Sequence, residues 1–301
     1  MKIALIGYGE VGRILGEDLR AAGHAIRACD LKRDDAAAAL REHADRHGVE
    51  LAASHADAVA NAEGVISAVT ASQTVAVAQA CAAALPHGAW FLDFNSASPR
   101  AKQRAGEIVD AAGGRYVEGA VMTSVPPYRI AVPLLLGGPH AAALLPQLTA
   151  LGFKARVVSD RLGVASATKM CRSVMIKGLE AMVIESFTAA RAYGVEEPVL
   201  ASLAETFPGI DWEKQGAYFF QRVIEHGRRR SEEVREVAVT VQDVGLTPWS
   251  ASGTAKRQAW MADAADAGVF GERGRSGFAR SADWRIEADR ILARIECKEP
   301  R

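Results

Sequence analysis

The sequence predicts an α/β fold, a doubly wound and mostly parallel sheet over residues 1–162, followed by an all-α half over residues 163–301. Three observations carry that prediction. Short runs rich in Val, Ile, Leu and Phe alternate with longer Ala-rich amphipathic segments through the first half, the pattern of strands each followed by a covering helix. After Gly163 the strand pattern stops, and Val164 to Tyr193 reads as one long helix linking the halves. At 301 residues with 49% hydrophobic side chains, the chain exceeds a single compact domain and has the apolar content for two cores.

Taken in order, strands are predicted at Lys2–Ile6, His24–Cys29, Val49–Ala52, Gly64–Ala68, Ala89–Asp93, Tyr116–Met122, Val132–Leu136 and Ala155–Val158, with Gly, Asp, Asn or Pro punctuating the joins. The first strand runs into Gly7-Tyr8-Gly9-Glu10-Val11-Gly12, which opens a helix passing through Leu15 and Leu19 to Gly23. In that setting the first glycine permits a tight turn, the second lets backbone approach a pyrophosphate, and the third lets helix and strand pack closely. The helix N-terminus adds a favourable field for the anion. The second strand ends in Asp30, where an acidic side chain accepts hydrogen bonds from ribose hydroxyls. Strand, glycines and acid together predict a Rossmann site for a nicotinamide dinucleotide.

Asp30 favours NAD over NADP because it repels a 2′-phosphate, although Lys32 and Arg33, beyond Leu31, are placed to pair with one. Val69, Thr70 and Ala71 follow the fourth strand, and Asn95 and Ser96 the fifth. These are the carboxyl ends at which such a sheet binds its ligand. Thr70 and Ser96 also suit helix N-caps, a role compatible with the first.

Helices are predicted after the long one at Glu196–Phe207, Trp212–His226, Arg230–Asp243, Thr254–Ala267 and Asp283–Glu296. His226 with Arg228–Arg230 reads either as a solvated helix-end cluster or as a contact for an acidic substrate. Gly271–Gly277 is glycine-rich and basic but lacks the preceding strand of a phosphate loop, and is expected as a flexible surface loop. Trp249, Trp260 and Trp284 are expected in a core or subunit interface.

Lys plus Arg equals Asp plus Glu at 36 each, which argues against nucleic acid or an anionic membrane and for a small-molecule partner. No apolar stretch approaches the ~20 residues that span a bilayer, and the first residues lack the basic flank and cleavage site of a signal peptide. Cys29, Cys81, Cys171 and Cys297 show no paired spacing for zinc or a dithiol, so no metal is expected. Buried free thiols in a cytoplasmic protein are.

The chain resembles the β-hydroxyacid dehydrogenase superfamily, which includes 6-phosphogluconate and 3-hydroxyisobutyrate dehydrogenases. The resemblance runs through Gly7–Gly12 to Gly23-His24, Asp93-Phe-Asn-Ser96 with Pro99, Glu118-Gly-Ala-Val-Met-Thr-Ser124, Gly163 leading to Lys169, and Gln242-Asp243. It implies hydride transfer between NAD(P) and a small 3-hydroxy acid, with decarboxylation where a β-keto acid forms, and a homodimer. Lys169 stands where such enzymes carry their general acid and base. Independently, a lysine in Ala-Ser-Ala-Thr-Lys-Met-Cys on a packing helix is unusual, and burial would depress its pKa from about 10.4 toward the range useful for proton transfer.

Met122, Thr123, Ser124, Ser173 and Gln242 fall at substrate-contact positions where the family usually has Ser-Gly-Gly, Asn and Lys, so a distinct branch is implied. Ser173 and Glu180 fall on the Lys169 face by helical period, with Lys177 a little further round. Arg172 or Lys177 supplies the countercharge a carboxylate requires. Two other readings stay open: an imine or other carbonyl reductase on the same scaffold, and a non-catalytic nucleotide sensor.

Overall fold

Among the described residues eight strands form one sheet: β1 (Lys2–Ile6), β2 (Ala25–Cys29), β3 (Glu50–Leu51), β4 (Gly64–Ser67), β5 (Trp90–Asp93), β6 (Arg115–Val121), β7 (Leu134–Gly137) and β8 (Ala155–Ser159), in the order β3-β2-β1-β4-β5-β6-β7-β8. Every neighbouring pair is parallel except β6–β7, which is antiparallel and sets Glu118 opposite Gly137. These come from a computed structural model describing residues 1–31, 34–275, 278 and 281–296. Lys32 and Arg33, the end of the Gly271–Gly277 loop and Cys297 lie outside the described residues.

Alternation along the strands divides the core of this unit in two, because successive side chains leave opposite faces. Ile3 and Leu5 of β1 join Trp90, Leu92 and Val117 with the apolar stripes of α1 (Glu10–Ala21), α2 (Asp34–His47) and α6 (Ala141–Ala150). Ala4 and Ile6 join Val65, Phe91 and Tyr116 with α3 (His55–Val59), α4 (Thr74–Ala82) and α5 (Pro99–Ala111). Helices therefore cover both faces, and fully burying a Leu or Phe at such positions contributes about 1.5–3 kcal/mol each.

The strand order reverses between β1 and β4, and the crevice at their carboxyl ends is where an open sheet of this kind receives a ligand.

The chain separates into two compact units, Met1–Met170 and Cys171–Arg301, with the division inside α7 (Val164–Tyr193); the sequence places it at 162/163. The second unit is helical, with α8 (Glu196–Thr206), α9 (Trp212–Asp243), α10 (Trp249–Asp266) and α11 (Trp284–Glu296) following α7. Phe187, Trp212, Phe220, Val223, Met261, Trp284 and Ile291 form its core. Trp284 is thus a core residue as expected, whereas Trp249 is 80% exposed.

The sequence divides α9 into two helices around Gly227, but α9 continues through it. A Cβ there would sit 2.7 Å from the Gln258 carbonyl oxygen of α10, so this glycine serves close packing of α9 on α10 rather than a break. The thiols need a correction too: Cys29 and Cys81 are buried and free, but Cys171 is exposed. No helix among the described residues is long and apolar enough to cross a membrane.

Candidate functional site

The loop after β1 has its backbone fixed by its glycines. Gly7 takes φ +92°, and a Cβ on it would meet the Ala68 carbonyl oxygen, beyond β4, at 2.5 Å. A Cβ on Gly12 would fall 2.0 Å from the Gly7 carbonyl oxygen. Gly9 is the N-cap of α1 and supplies no side chain to its first amides. That leaves the helix N-terminus free of a side-chain cap at the switch point, a cradle that suits a diphosphate. Val11 packs toward the core and Glu10 is exposed in the first turn.

Asp30 caps the end of β2 and reaches back to the turn, its Oδ2 accepting from the Tyr8 amide at 2.8 Å. The acid is therefore beside the glycines, as a ribose acceptor requires, and Leu31 next to it is exposed. Tyr8 belongs to the turn by its backbone only. Its ring is buried and its hydroxyl meets His43 Nδ1 at 3.0 Å, while burial, helped by Glu17, pushes the phenol up to about 12.

At the ends of β4 and β5 the polar groups are locked to one another. Asn95 Oδ1 accepts from the Val69 amide at 2.7 Å and Asn95 Nδ2 donates to Ser67 Oγ at 3.0 Å, so this buried amide is spent holding two strand ends in register. Thr70 is exposed and makes no side-chain cap bond, beside a half-buried Ala71. Ser96 does not cap α5 either; Ser98 stands at that N-cap position. Ser96 Oγ instead accepts from Lys169 Nζ at 2.6 Å.

Two buried polar groups brace the elements around that contact: Lys102, which the sequence did not single out, and Glu118, which it offers only within the resemblance. Lys102 is 1% exposed, and its Nζ donates at 2.8 Å both to the Asp93 carbonyl and to Asp93 Oδ1. Asp93 Oδ2 accepts from the Tyr116 hydroxyl at 2.7 Å, and burial, then the Asp93 charge, drives that phenol upward. The signal was present: Lys102 lies on the stripe Lys102, Ala105, Gly106, Val109 that α5 buries, where only a paired lysine is tolerable.

Glu118 is the second. Its Oε1 accepts from the amides of Gly163 and Ala165, each at 2.9 Å, and its Oε2 from Ser166 Oγ at 2.8 Å. This caps the first turn of α7 from β6, and Gly137 opposite leaves the room, since a Cβ there would meet Glu118 Oε1 at 2.4 Å. Lys169 is carried one turn further along that anchored helix. It is half-buried, less deeply enclosed than the sequence suggests.

The expected substrate contacts fare unequally. Met122 is half-buried after β6, and Thr123 and Ser124 are exposed at the same carboxyl edge. In the second unit Arg172 and Gln242 are exposed and Ser173 is buried. Lys177 is buried and its amine is committed to Glu233 at 2.6 Å; burial pulls its pKa down despite that partner. Glu180 is likewise taken by Arg230. The basic run after His226 resolves into separate pairs: Arg228 with Asp263 and Asp266, Arg229 with Glu233, and Arg230 buried against Glu180. It is neither a helix end nor one anion-binding patch.

Residues 2–151 match the NAD binding domain of 6-phosphogluconate dehydrogenase, and residues 190–261 match a domain of unknown function (DUF1932). Among solved structures, a conserved hypothetical protein from Sinorhizobium meliloti is 38% identical over 96% of each chain, with a TM-score of 0.75. A conserved protein of unknown function, described as structurally similar to 3-hydroxyacid dehydrogenases, is 27% identical over 88% of this chain and 98% of its own, with a TM-score of 0.69. The 3-hydroxyisobutyrate dehydrogenase of Mycobacterium tuberculosis, at 19% identity, 96% and 98% coverage and a TM-score of 0.73, shares the fold.

The glycine cradle, the acid at the end of β2 and these matches agree on a dinucleotide-binding domain. The chain belongs to the β-hydroxyacid dehydrogenase superfamily, in a branch that joins an NAD(P)-binding domain of the 6-phosphogluconate dehydrogenase type to a helical domain of its own.

Proposed function

We propose that this protein transfers hydride between NAD(P) and a small 3-hydroxy acid, with Lys169 as general acid and base. The observation that carries the reading is the Lys169 amine, held 2.6 Å from Ser96 Oγ just past the end of β5, on the same sheet edge as the glycine turn. A bound nicotinamide supplies the acceptor for the hydride lost from the substrate carbon.

The chain's own residues do the rest. The amides of Gly9–Gly12 hold the diphosphate, Asp30 takes the ribose hydroxyls, and Val69–Ala71 with Ser96 line the nicotinamide half. Lys169 accepts the substrate hydroxyl proton as the carbonyl forms and returns it in the reverse direction. Ser96 fixes the rotamer of that amine, which otherwise sweeps a wide arc. Thr123 and Ser124, exposed at the same carboxyl edge of the sheet, are assigned the substrate's hydroxyl and carboxylate oxygens.

NAD is favoured over NADP on the charge of Asp30. A cytoplasmic homodimer completes the reading, supported by the exposed apolar side chains Met175, Met182, Tyr193, Val244, Leu246 and Trp249 along the second unit.

The test is NADH formation from NAD across a panel of 3-hydroxy acids, beside NADPH oxidation with cyclic imines. Turnover of a 3-hydroxy acid well above that of any imine is expected. Turnover confined to imines would move the protein to the reductase reading, and binding of cofactor without turnover on either panel would favour the sensor.

A further inference from the structure

Behind the glycine turn, α1 and α2 bring three metal-ligating side chains together. Glu17 of α1 and His43 and His47 of α2 each offer one ligand atom, and these atoms lie within 4.8 Å of one another. We propose that Glu17, His43 and His47 form a binding site for one divalent transition metal of the zinc class, clasping α1 to α2.

Four features support it. His43 and His47 are four residues apart on one helix, the spacing at which two imidazoles share a face. Their rings lie against one another with centroids 4.5 Å apart and planes 28° apart, so a modest turn of the His47 ring brings its nitrogen toward the position shared with His43 and Glu17. Two imidazoles and a carboxylate make a borderline-soft donor set that suits Zn2+ and leaves a fourth position for water. The outer shell is also in place: His43 Nδ1 meets the Tyr8 hydroxyl at 3.0 Å, leaving Nε2 directed at Glu17 Oε1, 2.8 Å away. Arg129 donates to the other carboxylate oxygen, Glu17 Oε2, at 2.7 Å, which leaves Oε1 for the site.

Tetrahedral ligands at ~2.1 Å from zinc stand about 3.4 Å apart. The Glu17–His43 contact must therefore open by roughly half an ångström and His47 close in, changes within the reach of side-chain rotation. Tyr8 sets the site beside the glycine turn, because it is the second residue of that turn and its amide donates to Asp30. Nothing in the proposed hydride transfer uses this metal, and the two proposals stand or fall separately.

The experiment is calorimetric titration of ZnCl2 into the chelator-treated, tag-free full chain, with Co2+ as a spectroscopic probe and thermal unfolding in parallel. One equivalent of Zn2+ should bind, raise the unfolding midpoint and, as Co2+, give the visible absorption of a tetrahedral site. His47→Gln should lower zinc affinity more than about tenfold, with the metal-free midpoint of the same variant as its reference for the rise on zinc binding. Tyr8→Phe should lower affinity about tenfold through the outer shell. Binding of less than one equivalent, or equal zinc affinity in the wild type and His47→Gln, would overturn the proposal and leave a hydrogen-bonded Glu–His–Tyr chain.

Discussion

Replacing Glu118 with alanine isolates how α7 is anchored. The substitution removes the acceptor of two buried amides, Gly163 and Ala165, and one hydroxyl, Ser166. The hydroxyl has a second acceptor in the Gly163 carbonyl at 3.1 Å, so two amides are left without partners. At about 1–3 kcal/mol for each orphaned buried donor, partly offset by water entering the space, the cost is roughly 3 kcal/mol. For a unit of this size that corresponds to a drop of roughly 6–12 °C in the unfolding midpoint.

Glu118→Gln retains an oxygen for both amides and should lose ~1 kcal/mol or less. Calorimetry reads the two midpoints, and cofactor titration reads whether the glycine turn is untouched. A Glu118→Ala protein within ~0.5 kcal/mol of wild type would refute the capping argument, and with it the claim that β6 positions the helix bearing Lys169.

Lys102→Met should destabilise the first unit by about 3–5 kcal/mol, seen in urea unfolding, because it strands the Asp93 carboxyl in the core. Gly227→Ala should cost ~1–3 kcal/mol by forcing α9 from α10, whereas a helix break at this position would make alanine neutral or stabilising. Asp30→Asn, which keeps an acceptor for the Tyr8 amide, should narrow the preference for NADH over NADPH by about tenfold, or ~1.4 kcal/mol, in fluorescence titration. Acid should loosen the helical unit through Glu213. The Arg285 hydrogen bond, first among the causes, holds its carboxyl below the ordinary 4.5, so its contribution is full above that pH and fades as pH falls through the folded value. Glu213→Gln should flatten that limb of the stability profile.

Period and punctuation were enough to read the sheet and most helices from the sequence, because buried parallel strands and Ala-rich helices carry distinct patterns. Strand β1 and helix α7 coincide with their expected spans. Gly227 misled because glycine serves both as breaker and as contact point, and only the approach of Gln258 tells which.

In the site, the glycine turn was legible since its chemistry is local. Lys102 and Tyr116 were not singled out, and Glu118 stood only within the resemblance, because their side-chain partners are nine residues or more away in sequence: Asp93 lies nine before Lys102 and Gly163 lies 45 beyond Glu118. The commitment of Lys177 to Glu233, 56 residues on, was hidden for the same reason.

The proposed chemistry centres on the Lys169 amine, and Lys169→Met tests it when turnover and cofactor affinity are measured on the same preparation. Turnover of the best 3-hydroxy acid should fall roughly 10²–10⁴-fold while the NADH dissociation constant stays within about twofold. A variant that turns over at the wild-type rate, with cofactor bound as tightly, would remove Lys169 from the chemistry.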